Sequence, residues 1–504
     1  MDDLLKAGMV SVAARCEGYG APPYSPHDAF PEYPFAAATR SPRRSPAYDG
    51  VRHALQLLGL DRANYGTPAW NPLGELVRPG DTVCIKPNLV RDFRDTHPGH
   101  DDCVITHGAV IRAMADFVAI ALRGKGRIVV ADAPHNDADF AKVAEIARLR
   151  ELEQFYAMHA NVPLEVRDLR PEQATKIDGV IVGHEKLKGD PEGYVAVDLG
   201  EHSMFAQIDA ELCEKLYGSE YDMEELRKHH RGGRHAYLLS KTVLAADVVI
   251  SLPKLKTHKK TGLTVNLKNL VGINGNKNLL PHHREGTPAQ GGDQFPDDSA
   301  KNRVERSMVA RFKQVFPMLG PLRPIVAGPI KALGKRIFGD TNTNKIRSGN
   351  WYGNDTTWRM VLDLNRILFY AGADGRLHDR PVRRLFTLVD GIVAGEGNGP
   401  MDPIAKAAGL IVAGQNSLVV DLACARLMGF DYRKIPLLRE GIAAHSRPLT
   451  MLAYDELRCA SNEPAYARAL TEIEGRCLAF APHFGWRGHI EISDEPAVAA
   501  VSRA

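Results

Sequence analysis

Strand-like and helix-like segments alternate along this chain, and that order constrains the fold more than any other feature. The strand-like run TVCIKPNLV at 82–90 precedes a helical segment at about 108–122, and RIVVADAP follows after Gly124 and Gly126. A strand, a helix and a second strand in this order form a parallel pair in an α/β sheet. Later strand-like runs are VVISLPK at 248–254, RLFTLVDGIVAG at 384–395 and GLIVAG at 409–414, with helices predicted near 355–371 and from Ser417. The sequence therefore predicts an α/β fold with mostly parallel sheets.

The length of the chain favours more than one structural unit, because 504 residues exceed the size at which single hydrophobic cores stop growing. We predict two α/β units, the first over 48–165 and the second from 236–285 with 351–455. The other predicted segments are an extended N-terminal arm (1–47), an insertion (166–235), a basic amphipathic insertion (286–350) and a C-terminal segment (456–504).

Composition and motifs exclude several classes of protein. Lys and Arg number 64 against 61 Asp and Glu, so nucleic acid is not predicted as a partner. The seven cysteines are widely spaced, which excludes iron–sulfur ligation, and the chain contains neither the GxGxxG of NAD sites nor the GxxxxGK[ST] of ATP sites. No run approaches the roughly 20 apolar residues of a membrane span, and the first residues do not resemble a secretory signal, so we expect a cytoplasmic protein.

A dense cationic segment between Asp247 and His283 is the strongest indication of function. It follows a buried strand, where open α/β sheets usually bind ligands. Lys254, Lys256 and Lys268 can neutralise carboxylate or phosphate oxygens, and His258 can move a proton near neutral pH. Asn266, Asn269 and Lys277 add orienting donors. The alternative is an ordinary solvated loop, and we expect Lys259 and Lys260 to face solvent.

Further candidate residues follow other predicted strands. Asn88 and Asp132 come at strand ends that line the same crevice in parallel sheets, and Asn398 lies in the turn EGNGP. Each of these has a structural alternative as a turn or cap. Asp421 lies on an apolar helix face, so we expect a buried partner for it, for which a lysine of the cationic segment is one candidate.

A divalent metal is the cofactor that the sequence leaves open. His282 and His135 are the predicted ligands, with the alternative that the pair His282 and His283 belongs to a flexible loop. Because adjacent residues point in different directions, only one histidine of that pair is expected to face a given ion.

Several motifs in order resemble the domain of unknown function 362 family: KPN at 86–88, PKLKTH at 253–258, KNLVG at 268–272, DGI with GNGP at 390–400, and GLIVAG before VVDLACARLMG. The resemblance spans roughly 80–435 and implies no established reaction. Many relatives carry a ferredoxin-like cysteine cluster that this chain lacks, so their electron transfer is not implied. A fainter similarity, at Lys268, Gly272 and His282, is to the lactate racemase family, which implies a nickel-pincer cofactor held by a lysine.

The leading functional hypothesis is an enzyme of isomerase or lyase type that binds a small anionic substrate in a cleft. His258 is the predicted acid/base, with Lys256 or Lys268 as alternative base. One alternative is a non-catalytic protein that binds an anionic ligand or docks on a membrane surface through 301–347, a basic segment. The other is a metal- or nickel-dependent isomerase. The sequence does not predict the oligomeric state.

Overall fold

A computed structural model describes residues 2–94, 102–177, 180–218, 223–300, 302–304, 307–308, 345–474 and 477–493. The strands are β1 (Met9–Ala14), β2 (Thr82–Pro87), β3 (Arg127–Asp132), β4 (Leu164–Asp168), β5 (Glu172–Ile177), β6 (Val180–Lys186), β7 (Tyr194–Asp198), β8 (Leu216–Tyr217), β9 (Ala236–Ser240), β10 (Val248–Leu252), β11 (Lys254–His258), β12 (Gly262–Thr264), β13 (His283–Arg284), β14 (Arg384–Glu396), β15 (Ile404–Gly414) and β16 (Arg458–Ser461).

The helices divide into long ones that cover the sheet and short single turns. The long helices are Pro46–Leu57, Gly108–Leu122, Leu149–His159, Thr357–Tyr370 and Ser417–Met428. The shorter ones are Asp2–Leu5, Phe140–Ile146, Ala210–Cys213, Met223–His229, Lys241–Leu244, Asn266–Asn269 and Pro436–Ile442.

One large mixed sheet organises the described part of the chain. Its order is β16-β1-β15-β14-β10-β2-β3-β4, and β11 and β12 continue it beside β14. The run β14, β10, β2, β3 and β4 is parallel, whereas β15 is antiparallel to both β14 and β1. Three two-stranded sheets, β5 with β6, β7 with β9 and β8 with β13, lie outside it among the described residues.

Helices cover both faces of the sheet because side chains alternate along each strand. Val83 and Ile85 of β2 pack with the helices Pro46–Leu57 and Gly108–Leu122. Cys84, between them, packs on the opposite face with Thr357–Tyr370 and Ser417–Met428. The predicted α/β fold with mostly parallel strands is confirmed.

The strands of both predicted α/β units lie in this same sheet, where β2 pairs with β10 along Val248 to Leu252. Part of the predicted N-terminal arm is also a strand, because β1 lies between β15 and β16. The predicted domain boundaries stay a prediction.

The sequence led to one prediction about membrane-spanning segments and one about contact with a membrane surface. In the part of the chain that the structure describes, no helix combines the length and the apolar character that a bilayer span requires. Most of the basic segment 301–347, the predicted membrane contact, lies outside the described residues.

Candidate functional site

A cavity of about 380 Å³ opens where the strand order reverses. From β2 the chain builds outward to β3 and β4, then returns to place β10 on the other side of β2. The carboxyl ends of parallel strands leave a crevice at such a reversal, which is where doubly wound folds bind ligands. The residues after β2, β3 and β10 line this cavity.

The polar lining of the cavity is strongly cationic. Its charged, histidine and amide side chains are Lys86, Asn88, Asp132, His135, Asn136, Lys256, His258, Lys259, Lys260, Lys268, Asn269, Lys277, His282 and His283. Among these described residues six are lysines and one is a carboxylate, so the cavity favours an anionic occupant. This set brings together nine of the predicted site residues: Asn88, Asp132, His135, Lys256, His258, Lys268, Asn269, Lys277 and His282.

The carboxylate is already paired with a lysine. Lys86 Nζ lies 2.7 Å from Asp132 Oδ1, and both side chains are buried. Lys86 also donates to Asn269 Oδ1 at 2.9 Å, while the backbone N–H of Leu89 donates to Asp132 Oδ2 at 2.7 Å. Asp132 is therefore engaged both by the Lys86 ammonium and by the backbone of Leu89.

Gly272 allows the backbone to approach this ion pair closely. A Cβ atom at this position would lie 2.0 Å from Asp132 Oδ1 and 2.6 Å from Lys86 Nζ. The Gly272 carbonyl accepts from the N–H of Ala133 at 2.8 Å, which fixes the distance between the two segments. Any side chain at position 272 would displace the pair.

Three other lysines are held at the cavity wall by backbone carbonyls. Lys256 Nζ donates to Val104 O at 2.5 Å and to Pro400 O at 3.2 Å. Lys277 donates to Ala133 O at 2.9 Å and to Val271 O at 3.3 Å. Lys260 donates to the carbonyls of His282 and Ser348. Backbone carbonyls therefore fix the positions of these three amines.

Lys268 differs from them. Its Nζ makes no hydrogen bond and no ion pair with any residue that the structure describes, although part of its surface opens to the cavity. The one free amine of the described lining is thus Lys268.

The turn that carries Lys268 is rigidly held. Asp421 accepts the backbone N–H groups of Asn266 and Leu267, both at 2.9 Å, and Asn365 Nδ2 donates to Leu267 O at 2.9 Å. Asn269 Nδ2 donates to Lys86 O at 3.0 Å. Buried polar groups therefore clamp the turn Asn266–Asn269 from both sides, and the Lys268 side chain extends from a fixed backbone.

Burial makes these amines much less basic than ordinary lysines. It lowers the pKa of Lys256, Lys260 and Lys277 to about 7. Burial and then the charge of Lys86 lower the pKa of Lys268 to about 8. Because desolvation disfavours the charged form, these lysines are only partly protonated at neutral pH and gain protons when an anion enters the cavity.

His258 is held in a defined tautomer. Its Nδ1 accepts the backbone N–H groups of Lys260 at 3.0 Å and Thr261 at 3.2 Å. Burial, followed by the charge of Lys268, keeps its pKa well below the ordinary range. A neutral ring with Nδ1 as acceptor carries its proton on Nε2, so His258 can donate a hydrogen bond from Nε2, and its predicted acid/base role stays a prediction.

His282 has the opposite tautomer, because Nδ1 donates to Leu280 O at 2.8 Å. Burial keeps its pKa well below the ordinary range, so its Nε2 carries a lone pair. His135 Nδ1 contacts Asp137. Among the described residues no group of three or more His, Cys, Asp or Glu side chains could hold a metal ion, and the assignment of His282 and His135 stays a prediction.

Three predicted ligand-binding residues lie outside the cavity lining. Lys254 is fully buried in an ion pair with Asp390 at 2.6 Å. Asn266 donates its side chain to Asp421 at 3.0 Å, and Asn398 does not line the cavity. The predicted partner of Asp421 is thus a pair of backbone amides and an asparagine instead of a lysine.

The prediction that a loop follows β10 is wrong. Lys254–His258 forms the buried strand β11, which pairs with β14 and β12. Lys260, predicted to face solvent, is only 9% exposed because its ammonium reaches the carbonyls across the cavity. Two lining lysines, Lys86 and Lys260, were not among the predicted site residues, and the signal for Lys86 was a lysine inside the apolar strand VCIKP.

Comparison with known proteins identifies the family. The family model of the domain of unknown function (DUF362) matches residues 83–186 and 172–426. The chain belongs to this family.

Individual relatives add little detail. The chain is 35% identical over 106 residues to a thylakoid-associated protein from a Synechocystis species, a match that covers 19% of this chain and 29% of the cyanobacterial protein. The crystal structure of a Thermotoga maritima protein aligns with 11% identity and a TM-score of 0.31, covering 75% of this chain and 58% of that one. Such a likeness carries no argument about the site.

Proposed function

We propose that this member of the family is an enzyme that binds a small anionic molecule in the cavity and moves a proton at a carbon next to the anionic group. The observation that carries the proposal is the free amine of Lys268 in a described lining where Lys86, Lys256, Lys260 and Lys277 donate hydrogen bonds to the cavity wall. Bound lysines suit the holding of an anion, whereas a free amine suits proton transfer.

Each lining group has a chemical role in this proposal. Lys256 and Lys277 hold the anionic group, since their ammonium positions are set by backbone carbonyls. Lys268, with a pKa of about 8, accepts the proton at neutral pH. His258 donates its Nε2–H to the oxygen on which negative charge develops.

Proton transfer can be tested without knowledge of the natural substrate. In D₂O, the purified chain should catalyse loss of the carbon-bound proton signals of malate or 2-oxoglutarate in NMR spectra. Lys268→Met should abolish this exchange because the base is gone, with its melting temperature and circular dichroism as the check on folding. The exposed Lys188 lies outside the lining, so Lys188→Met should exchange at the wild-type rate. Equal exchange by Lys268→Met and wild type would contradict the role of Lys268.

Anion binding is tested separately by calorimetry. Lys277→Met should weaken the binding of malate by about 10- to 100-fold, which corresponds to about 1.5–3 kcal/mol for a charge-assisted hydrogen bond. Titrations at pH 8 in two buffers of different ionisation enthalpy should reveal proton uptake, because an anion raises the pKa of the lysines around it. Binding without proton uptake, or unchanged binding in Lys277→Met, would contradict this assignment of the cavity.

A further inference from the structure

Lys268 is placed for covalent chemistry as well as for proton transfer. We propose that its Nζ forms an imine with the carbonyl carbon of a substrate that also carries an anionic group, that is, a small ketone bearing a carboxylate or a phosphate. This inference rests on the proposed function, because it names the substrate class of the same cavity.

Hydrogen bonding distinguishes the lysine that can act as a nucleophile from the lysines that can bind an anion. Lys256 and Lys277 each donate to two carbonyls, so attack by either amine would break hydrogen bonds inside a buried wall. Lys268 makes no such bonds with the described residues and extends from a turn that Asp421 and Asn269 hold in place. Among the described lysines of the lining, Lys268 can therefore attack a bound carbonyl without breaking a hydrogen bond of its amine.

The surroundings also make this amine reactive. Burial and the neighbouring ammonium of Lys86 lower the pKa of Lys268 to about 8, so about a tenth of it is the neutral nucleophile at pH 7. Lys86 keeps its own charge through its ion pair with Asp132 at 2.7 Å. A desolvated lysine beside a second cation is a recurring way to activate an amine for imine formation.

The chemical step is balanced by groups of the same cavity. The lone pair of Lys268 Nζ forms a bond to the carbonyl carbon, and the carbonyl oxygen takes a proton that the nitrogen releases, which gives a neutral carbinolamine. A second proton, from a neighbouring ammonium of the lining, lets that oxygen leave as water, and the nitrogen keeps its remaining hydrogen in the protonated imine. His258 Nε2–H is the lining donor that can stabilise the oxygen while charge develops on it. The protonated imine then withdraws electrons from the adjacent carbon, which makes its proton easier to remove.

The lysine anchors determine which ketones fit. Lys256, Lys260 and Lys277 favour a second anionic group on the substrate, because these amines can gain protons and bind an anion as ammonium groups, an attraction that an uncharged ketone does not provide. We therefore expect 2-oxoglutarate or dihydroxyacetone phosphate to react and acetone to fail at the same concentration.

Borohydride trapping tests the proposal. The full chain is incubated with 2-oxoglutarate or dihydroxyacetone phosphate, reduced with sodium borohydride and analysed by peptide mass spectrometry. The expected product is a Lys268 peptide heavier by the mass of the ketone less one oxygen atom. Reaction with only one of the two compounds identifies the anionic group as carboxylate or phosphate. Malate, which has the charge without the ketone, should leave no adduct.

The variants separate the two proposals. Lys268→Arg retains a cation but cannot form the imine, so it should still bind malate in calorimetry and give no adduct. Lys188→Met, altered at an exposed position, should form the adduct as the wild type does. Absence of any Lys268 adduct in a chain that binds malate, or labelling spread evenly over exposed lysines, would overturn the imine and leave the proposed function standing. Failure to bind any of these anions would overturn both.

Discussion

Position 272 is a glycine, and the lack of a side chain there leaves room for the ion pair of Lys86 and Asp132. Gly272→Ala would place a methyl group 2.0 Å from Asp132 Oδ1, so the carboxylate and the ammonium must separate or the backbone must shift. We expect a loss of about 1–3 kcal/mol in the free energy of unfolding, as for overpacked interiors. Urea denaturation measures it. Gly183→Ala is the matched control, because its Cβ would meet no atom within 4 Å, and an equal loss in both variants would contradict this account.

Only some of the residues that line the cavity could be predicted from the sequence. Asn88, Lys256 and Lys268 were recognised because they follow apolar strands, and all three line the cavity. Lys254 carries the same pattern, yet it pairs with Asp390, which is 136 positions away in the sequence. No local pattern reports such a partner, since it depends on the pairing of β11 with β14.

At the scale of elements, the helices and strands with a regular apolar pattern could be predicted from the sequence. The helix predicted at about 108–122 is Gly108–Leu122, and the strand after Gly126 is Arg127–Asp132, because both bury continuous apolar surface. The segment LKTHKK was predicted as a loop because lysines rarely occur in buried strands. Its burial depends on carbonyls and one carboxylate that other elements supply. Composition alone therefore predicts an exposed loop where the structure has a buried strand.

The helix Ser417–Met428 holds the turn Asn266–Asn269 through Asp421. A substitution of Asp421 should therefore disturb the position of the Lys268 amine without touching it. Asp421→Asn replaces an accepting oxygen by an NH₂ group that faces backbone N–H donors. We expect about 1–3 kcal/mol lower stability, together with loss of Lys268-dependent proton exchange as the turn shifts. Urea denaturation and the NMR exchange assay measure the two effects.

Asp431→Asn provides the control for that change. Asp431 accepts the N–H of Arg433 at the start of a short turn and does not line the cavity, and asparagine is an equally good cap. The change also removes an ion pair with Arg433, whose side chain is exposed, so stability should fall by no more than about 1 kcal/mol and exchange should not change. If Asp421→Asn keeps full exchange at the wild-type rate, the clamp does not position Lys268.

At the scale of the whole molecule, the buried lysines couple stability to pH. Lys256, Lys260 and Lys277 have a pKa of about 7 and Lys268 of about 8 in the fold, against an ordinary value of about 10.4 in the unfolded chain. Between these values the unfolded chain binds more protons, so stability must rise as pH rises. The penalty is complete below about pH 7 and is relieved progressively above it.

We therefore expect the free energy of unfolding to increase from pH 7 to pH 8.5, by at most about 1.4 kcal/mol per pH unit for each lysine that loses its proton on folding. Urea titrations at the two pH values measure the slope. Lys277→Met should reduce it, whereas Lys188→Met, which alters an exposed lysine, should not. Saturating malate should flatten the slope, because a bound anion restores the charge of the surrounding amines in the fold. A slope that Lys277→Met and malate both leave unchanged would mean that the cavity lysines do not carry the linkage.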